Sequence, residues 1–193
     1  MSMKATARAH PIQGLVKYHG MRDPELRLPY HDSISVCTAP TNTTTTVEWL
    51  TDIDAEGGNQ DTYRIDDEVV EGRAAERINM VVDHVRELAD FDHAVHFESK
   101  NSFPSNIGFG SSSSGFAAAA MALVEAAGLD MSLPEISTVA RRGSSSAARA
   151  VTGAFSHLYA GLNDEDCRSY RLESDLEDDL KIVAAHVPSY KET

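Results

Sequence analysis

Residues 102 to 116 read Ser-Phe-Pro-Ser-Asn-Ile-Gly-Phe-Gly-Ser-Ser-Ser-Ser-Gly-Phe, which sets a proline, Gly108, Gly110 and four consecutive serines against an alanine-rich run, Ala117 to Ala127. The spacing predicts a phosphate cradle. Two glycines allow a backbone path close to an anion, and a helix starting near Ser111 aims unpaired N–H groups at it. Ser111 to Ser114 add hydroxyl donors. A flexible Gly/Ser linker would not carry Phe-Pro on one side and a long apolar helical run on the other. Two other segments concentrate cations: Lys17 and Arg22 in one, and Arg141, Arg142 and Arg149 in the other. Together these segments could let an acidic chain hold an anion.

The elements that must position these residues follow from periodicity. Ser33 to Cys37 alternates polar and apolar residues as a half-buried strand, and Thr43 to Leu50 is rich in β-formers around Trp49, so the two read as neighbouring strands. Asp54 to Asp61 reads as a loop. Thr62 to Ile65 with Val69-Val70 forms a short hairpin. Ile78, Val81, Val85 and Leu88 recur at helical spacing, so Arg73 to Leu88 is an amphipathic helix. A strand His93 to Ser99, the glycine loop and the Ala117 helix follow. Ser132-Leu-Pro-Glu135 has capping-box spacing, so a helix starts there. Gly153 to Tyr159 and Lys181 to Val187 read as further strands, separated by an acidic turn, Glu173 to Asp179. Strands mixed with helices without regular βαβ alternation give an α+β sandwich.

The chain has 193 residues with 41% apolar content, enough for one domain with a core. No run of 18 apolar residues occurs and Met1 to Thr6 lacks the apolar stretch of a signal peptide, so the expectation is a soluble, cytoplasmic protein without membrane contact. Cys37 and Cys167 read as free thiols, and no His/Cys cluster has metal-ligand spacing. The net charge is −13, and only five of 17 basic residues are lysines. That is the acidic surface of a protein from a high-salt cytoplasm, where screening shortens repulsion to about 3 Å at 1 M. The absence of a basic stripe with interleaved aromatics argues against nucleic acid. His31, His84, His93, His96, His157 and His186 form no constellation.

Three segments in order, His10-Pro-Ile-Gln-Gly-Leu-Val-Lys-Tyr-His-Gly-Met-Arg-Asp23, residues 101 to 117, and Ala140-Arg-Arg-Gly-Ser-Ser-Ser-Ala-Ala-Arg149, resemble motifs of the mevalonate diphosphate decarboxylases of the GHMP kinase superfamily. The resemblance spans roughly residues 5 to 160. It implies an N-terminal lobe similar to ribosomal protein S5 domain 2, a two-layer α+β sandwich, covering residues 1 to 193. It also implies ATP with Mg2+ as cofactors, a mevalonate phosphate as substrate, and decarboxylation after phosphorylation of the C3 hydroxyl. A homodimer is compatible with it. By position, the resemblance implies Lys17 and Arg149 as catalytic residues, with Arg149 clamping the substrate carboxylate. Tyr18, His19, Arg22, Ser144 and Ser146 then contact substrate, and Asn101, Gly108, Gly110, Ser111, Ser112 and Ser113 hold the nucleotide.

The departures narrow the expectation. The family's Tyr-Trp-Gly-Lys is here Tyr18-His-Gly-Met21, which removes a cation from the diphosphate pocket. Mevalonate 5-phosphate, as in the haloarchaeal variant of the pathway, is therefore the expected substrate; the diphosphate stays open because a protonated His19 restores charge. Pro11-Ile-Gln-Gly14 replaces the family's Thr-Asn-Ile-Ala, so the asparagine role has only Gln13 nearby. The aspartate resembling a catalytic base belongs to a C-terminal half beyond Thr193, so this length alone is expected to be inactive. Another GHMP small-molecule kinase and a noncatalytic nucleotide-binding module remain the alternatives.

Overall fold

A computed structural model describes residues 3–51, 60–104 and 108–183. The chain runs β1 (Lys4–Ala9), β2 (Ile12–Val16), β3 (Met21–Asp23), β4 (Leu28–Pro29), β5 (Ser33–Cys37), β6 (Thr43–Leu50), β7 (Thr62–Ile65) and β8 (Glu68–Val69). Then come α1 (Gly72–Ala89), β9 (Ala94–Asn101), α2 (Ser111–Ala126), α3 (Leu133–Gly143), α4 (Ala147–Thr152), β10 (Phe155–Leu158), β11 (Ser169–Arg171) and α5 (Leu176–Asp179). One sheet has the order β1-β6-β9-β7-β8, a second β11-β10-β5-β2, and β3 pairs with β4. The α+β expectation holds.

The two strands read as neighbours are not. β5 lies between β2 and β10, while β6 lies between β1 and β9. Each has both edges occupied within its own sheet, so no edge is left for the other. Strict alternation puts Thr43, Thr45, Val47 and Trp49 of β6 inward and the intervening residues outward. Trp49 meets Phe91 edge-on at 4.9 Å and donates its indole N–H to the Leu123 carbonyl at 3.4 Å. Above this sheet lies α2, whose Ala117, Ala118, Ala119, Ala120 and Ala122 are buried. Small side chains on every face let β1, β6, α1, α3 and α4 all approach one helix. The second sheet packs on α3 and α4.

Lys181 to Val183, the described start of the last expected strand, is not a strand, and the remainder, like most of the expected loop at Asp54 to Asp61, lies outside the described residues. The acidic stretch expected as a turn contains α5. Cys37 and Cys167 are free thiols. Among the described residues no helix is long and apolar enough to cross a membrane, and no acidic, His or Cys cluster could hold a metal.

Two cations of the Arg-Arg-Gly-Ser segment turn out to hold the fold. The Arg141 side chain is fully buried, donating to the Leu26 carbonyl and to the Asp164 carboxylate, whose second oxygen takes Arg142 at 2.6 Å. Arg141 and Arg142 thus share one carboxylate and are engaged in the fold, contrary to the sequence-based expectation that both lend charge to an anion site. Arg22 is similarly engaged, with its two terminal nitrogens on the carbonyls of Gly161 and Ala160 at 2.6 and 2.9 Å. These contacts strap the segment from Ala160 to Asp166 onto the β3–β4 region and α3.

Asp164→Ala leaves Arg141 buried without its counter-ion and is expected to cost about 3–5 kcal/mol, seen as a large drop in unfolding temperature. At the start of α3, Ser132 and Glu135 form the expected capping box; Ser132→Ala should cost about 1 kcal/mol in chemical denaturation. Burial, then the nearby Arg142 charge, hold the His84 imidazole below its ordinary value. Protonation is therefore disfavoured in the folded state, so the stability His84 contributes is present above its unfolded value of 6.5 and is lost as pH falls below it. A His84→Gln chain should show a flatter stability profile between pH 7 and pH 5, measured by thermal unfolding across that range.

Candidate active site

The glycine loop enters α2 through Gly110, whose φ of 78° lies in the left-handed region. A Cβ there would stand 3.2 Å from the Ser113 hydroxyl and 3.5 Å from the Ile12 carbonyl, so the position is both conformationally and sterically reserved for glycine. Ser113 makes the loop. Its N–H and hydroxyl both donate to the Gly110 carbonyl, at 2.8 and 2.6 Å, and its oxygen accepts the Ile12 N–H at 3.2 Å. With both donors engaged and the residue buried, Ser113 shapes the loop and ties it to β2; it has no donor left for a ligand. Ser114 bonds Thr43 at 2.6 Å. Ser111 and Ser112, which begin a 16-residue helix with no side-chain cap, face the open space.

That space is a cavity of about 880 Å³ between α2, α1, β9 and the β7–β8 hairpin. Val69, Val70, Phe97 and Phe103 supply apolar lining, and Ser111, Ser112, Arg77 and Asn101, with Asp66, Glu68 and Glu71, polar lining. Its size and mixture suit an aromatic ring carrying an anionic tail. Asn101 sits at the end of β9, accepting from Thr43 at 2.7 Å and donating to Asp66 at 3.0 Å. Gly108, with φ 86°, has no described residue within 4 Å of where a side chain would start.

The second part of the site grows from β2, β5 and α4. Arg149 is 3% exposed, and burial holds its guanidinium below the usual arginine range, opposed by Tyr18. Its Nε donates to Ser35 Oγ at 3.1 Å and one terminal nitrogen to Ser33 Oγ; the guanidinium stands 5.8 Å from the centre of the Tyr18 ring. Among the described residues no carboxylate pairs with it. A guanidinium this buried and uncompensated is a ready receptor for an anion. Lys17, just past β2, is exposed, makes no ion pair among the described residues, and lays its stem over Gly14, where a Cβ would come within 3.0 Å of the lysine Cγ. β2 joins the two parts of the site, with Ile12 bonded to the glycine loop and Gly14 paired with Ser35.

Ser144 ends α3 and Ser146 starts α4, their hydroxyls 2.9 Å apart. Ser146 makes no helix-capping bond, so capping does not account for it. His19 is exposed, its N–H donating to His31 Nε2 at 3.2 Å. The structure therefore sets Tyr18 near Arg149, leaves the adjacent Lys17 exposed, places Ser144 and Ser146 where α4 begins, and engages Arg22 with main-chain carbonyls. Sequence reasoning missed Ser33, Ser35 and Arg77. The signal for the serines was present: in Ser33-Ile-Ser-Val-Cys37 the polar positions, not Ile34, are the fully buried ones, because they face Arg149.

Residues 9–169 match the family profile of the diphosphomevalonate decarboxylase-like N-terminal domain. The chain is 75% identical over 191 residues to phosphomevalonate decarboxylase of Haloferax volcanii, covering 99% of this chain and 57% of that one. It superposes on mevalonate diphosphate decarboxylase of Staphylococcus aureus with a TM-score of 0.84 at 34% identity, over 97% of this chain and 58% of that one. A structure of MDDEF in complex with MVAPP, AMPPCP and magnesium matches at TM-score 0.83 and 30% identity, over 91% and 52% of the two chains. The chain thus spans about half the length of the curated relatives it matches, 57% and 40% of the first two. The matched residues 9–169 take in the glycine loop, Lys17 and Arg149, and the chain belongs to the diphosphomevalonate decarboxylase-like family, matching its N-terminal domain.

Proposed function

We propose that the chain is the nucleotide- and substrate-binding part of a cytoplasmic, ATP-dependent decarboxylase that converts mevalonate 5-phosphate to isopentenyl phosphate in isoprenoid biosynthesis. The observation that carries this reading is Arg149, a buried guanidinium held by Ser33 and Ser35 with no carboxylate partner among the described residues. A planar fork in that setting suits a substrate carboxylate. The cavity beside Ser111 and Ser112 fits ATP, which would carry magnesium.

In this reading ATP supplies the γ-phosphoryl group that makes the C3 oxygen a good leaving group. The C3 hydroxyl proton passes to a base assigned to the second half of a family-length chain. Lys17 neutralises the transferring phosphoryl charge from the exposed end of β2. Arg149 fixes the carboxylate so that the C1–C2 electron pair becomes the new C2=C3 bond as phosphate leaves C3 and CO2 departs. Ser144, Ser146 and Tyr18 donate to the 5-phosphate, with His19 at the edge of the same turn. Arg22, bonded to the Ala160 and Gly161 carbonyls, shapes that turn. Met21, in β3, stands where a cation toward a second phosphate is lacking.

The test is an ATP-coupled assay in molar KCl of the chain at family length, offering the mono- and diphosphate in parallel and following ADP and CO2. Preference for the monophosphate supports the reading; preference for the diphosphate transfers it to that substrate, and silence on both removes it. Arg149→Lys should lower kcat/KM by about 100-fold or more, because a point charge cannot reproduce a bidentate grip. Met21→Lys should raise the diphosphate-to-monophosphate ratio of kcat/KM by about tenfold, the scale of one charged hydrogen bond.

A further inference from the structure

Three consecutive side chains, His31, Asp32 and Ser33, each hold a different piece of the chain. The Ser33 hydroxyl takes the Arg149 guanidinium. The Asp32 carboxylate accepts from His157 Nε2 at 2.9 Å and from the Ala160 N–H at 2.8 Å, so Ala160 is held at its N–H by Asp32 and at its carbonyl by Arg22. His31 and His157, which form no pattern in the sequence, thus meet at one aspartate. His31 reaches the other way, to residues 17–20, the turn that joins β2 to β3 and carries Lys17, Tyr18 and His19. Its Nε2 accepts the His19 N–H at 3.2 Å, and its Nδ1 lies 2.8 Å from the Asp32 carbonyl. An amide N–H only donates and a carbonyl only accepts, so Nδ1 carries the proton, Nε2 is bare, and this pair of bonds needs a neutral ring. Tyr30 closes the same turn: a Cβ on Gly20, whose φ is 77°, would stand 3.2 Å from the tyrosine ring.

We propose that His31 is a positioning residue for the substrate: its neutral imidazole holds the turn of residues 17–20 in the shape that receives mevalonate 5-phosphate, and a proton on Nε2 releases that turn. This rests on the functional reading above. A protonated imidazole donates from both nitrogens, so Nε2–H would face the His19 N–H, donor against donor, and the contact is lost. The ionisable groups on the elements joined here are Lys17, Tyr18 and His19 on the turn, Arg22 on β3, Tyr30 and Asp32 beside His31, and His157 on β10. Asp32 is engaged by His157 and Ala160, and Arg22 by two carbonyls. His19, its ring centre 6.5 Å from that of His31, acts with the opposite sign, because a proton on it adds a charge that attracts phosphate.

The experiment measures kcat and KM for mevalonate 5-phosphate at saturating ATP in molar KCl, from about pH 8 down to about pH 5.5, in a family-length enzyme and its His31→Gln and His31→Phe variants. His31 is exposed, so both variants should fold, and thermal unfolding at each pH checks that they do. Toward acid the wild-type KM should rise about fivefold more than that of either variant, the scale of one lost hydrogen bond, while kcat moves less than about twofold. His31→Phe offers the His19 N–H no acceptor, so its KM should stand about fivefold above wild type already at the alkaline end. The second ionisation of the substrate phosphate, at about 6, acts equally on every chain and cancels in the comparison. A folded variant that keeps the wild-type pH dependence of KM overturns the proposal, as does His31→Phe with the wild-type KM at the alkaline end, or a change confined to kcat. A wild type that turns over no mevalonate 5-phosphate at any pH overturns the functional reading itself, and the proposal with it.

Discussion

Burying one guanidinium without a counter-ion constrains much of what surrounds it. Arg149 is removed from water and is satisfied by the hydroxyls of Ser33 and Ser35, so β5 must turn its polar side chains inward and leave Ile34 half-exposed. Ser35 also meets Ser156 of β10 at 3.2 Å, which extends the polar layer across the sheet. For the guanidinium to reach that strand, α4 must lie close to it, and Ala147, Ala148 and Ala150 keep the helix small enough to do so. A charge held this way retains most of its attraction for an incoming anion, because the protein has not already neutralised it.

Arg141, Arg142 and Arg22 show the opposite treatment. Asp164 pairs with Arg141 and Arg142 at once, and main-chain carbonyls take up Arg22. Their work is geometric. Arg27 donates to the Arg142 carbonyl at 2.8 Å, Ser145 donates to the Arg27 carbonyl at 3.0 Å, and Arg77 holds the Gly143 carbonyl. The turn between α3 and α4 is thereby gripped, while the hydroxyls of Ser144 and Ser146 bond to each other. A chain of net charge −13 can still hold an anion where Lys17 and Arg149 make no carboxylate pair among the described residues.

Elements with a strong local signal were legible. The α1 stripe of Ile78, Val81 and Val85, the Ser132–Glu135 box and the β7–β8 hairpin each declare themselves within a few residues. β1 did not, because alternating Lys-Ala-Thr-Ala-Arg-Ala carries weak strand preference and forms only through pairing with β6 along its whole length. Nor did α4, whose six residues are too few to show a period and whose stability comes from packing on α2 and α3.

The sequence by itself determined the chemistry on offer: a glycine-serine loop before a helix, a lysine after a strand, an arginine at the end of a serine-rich turn, and a family whose motifs occur in that order. Only the tertiary structure decided which of those groups are available. Ser113 and Ser112 are adjacent and identical in type, yet one is bonded into the loop and the other lines the cavity. Arg141 and Arg149 share one segment, yet one is paired and the other is not. The partners that separate them, Asp164 and Ser35, are 23 and 114 residues away along the chain, and long-range pairing of that kind leaves no local period to read.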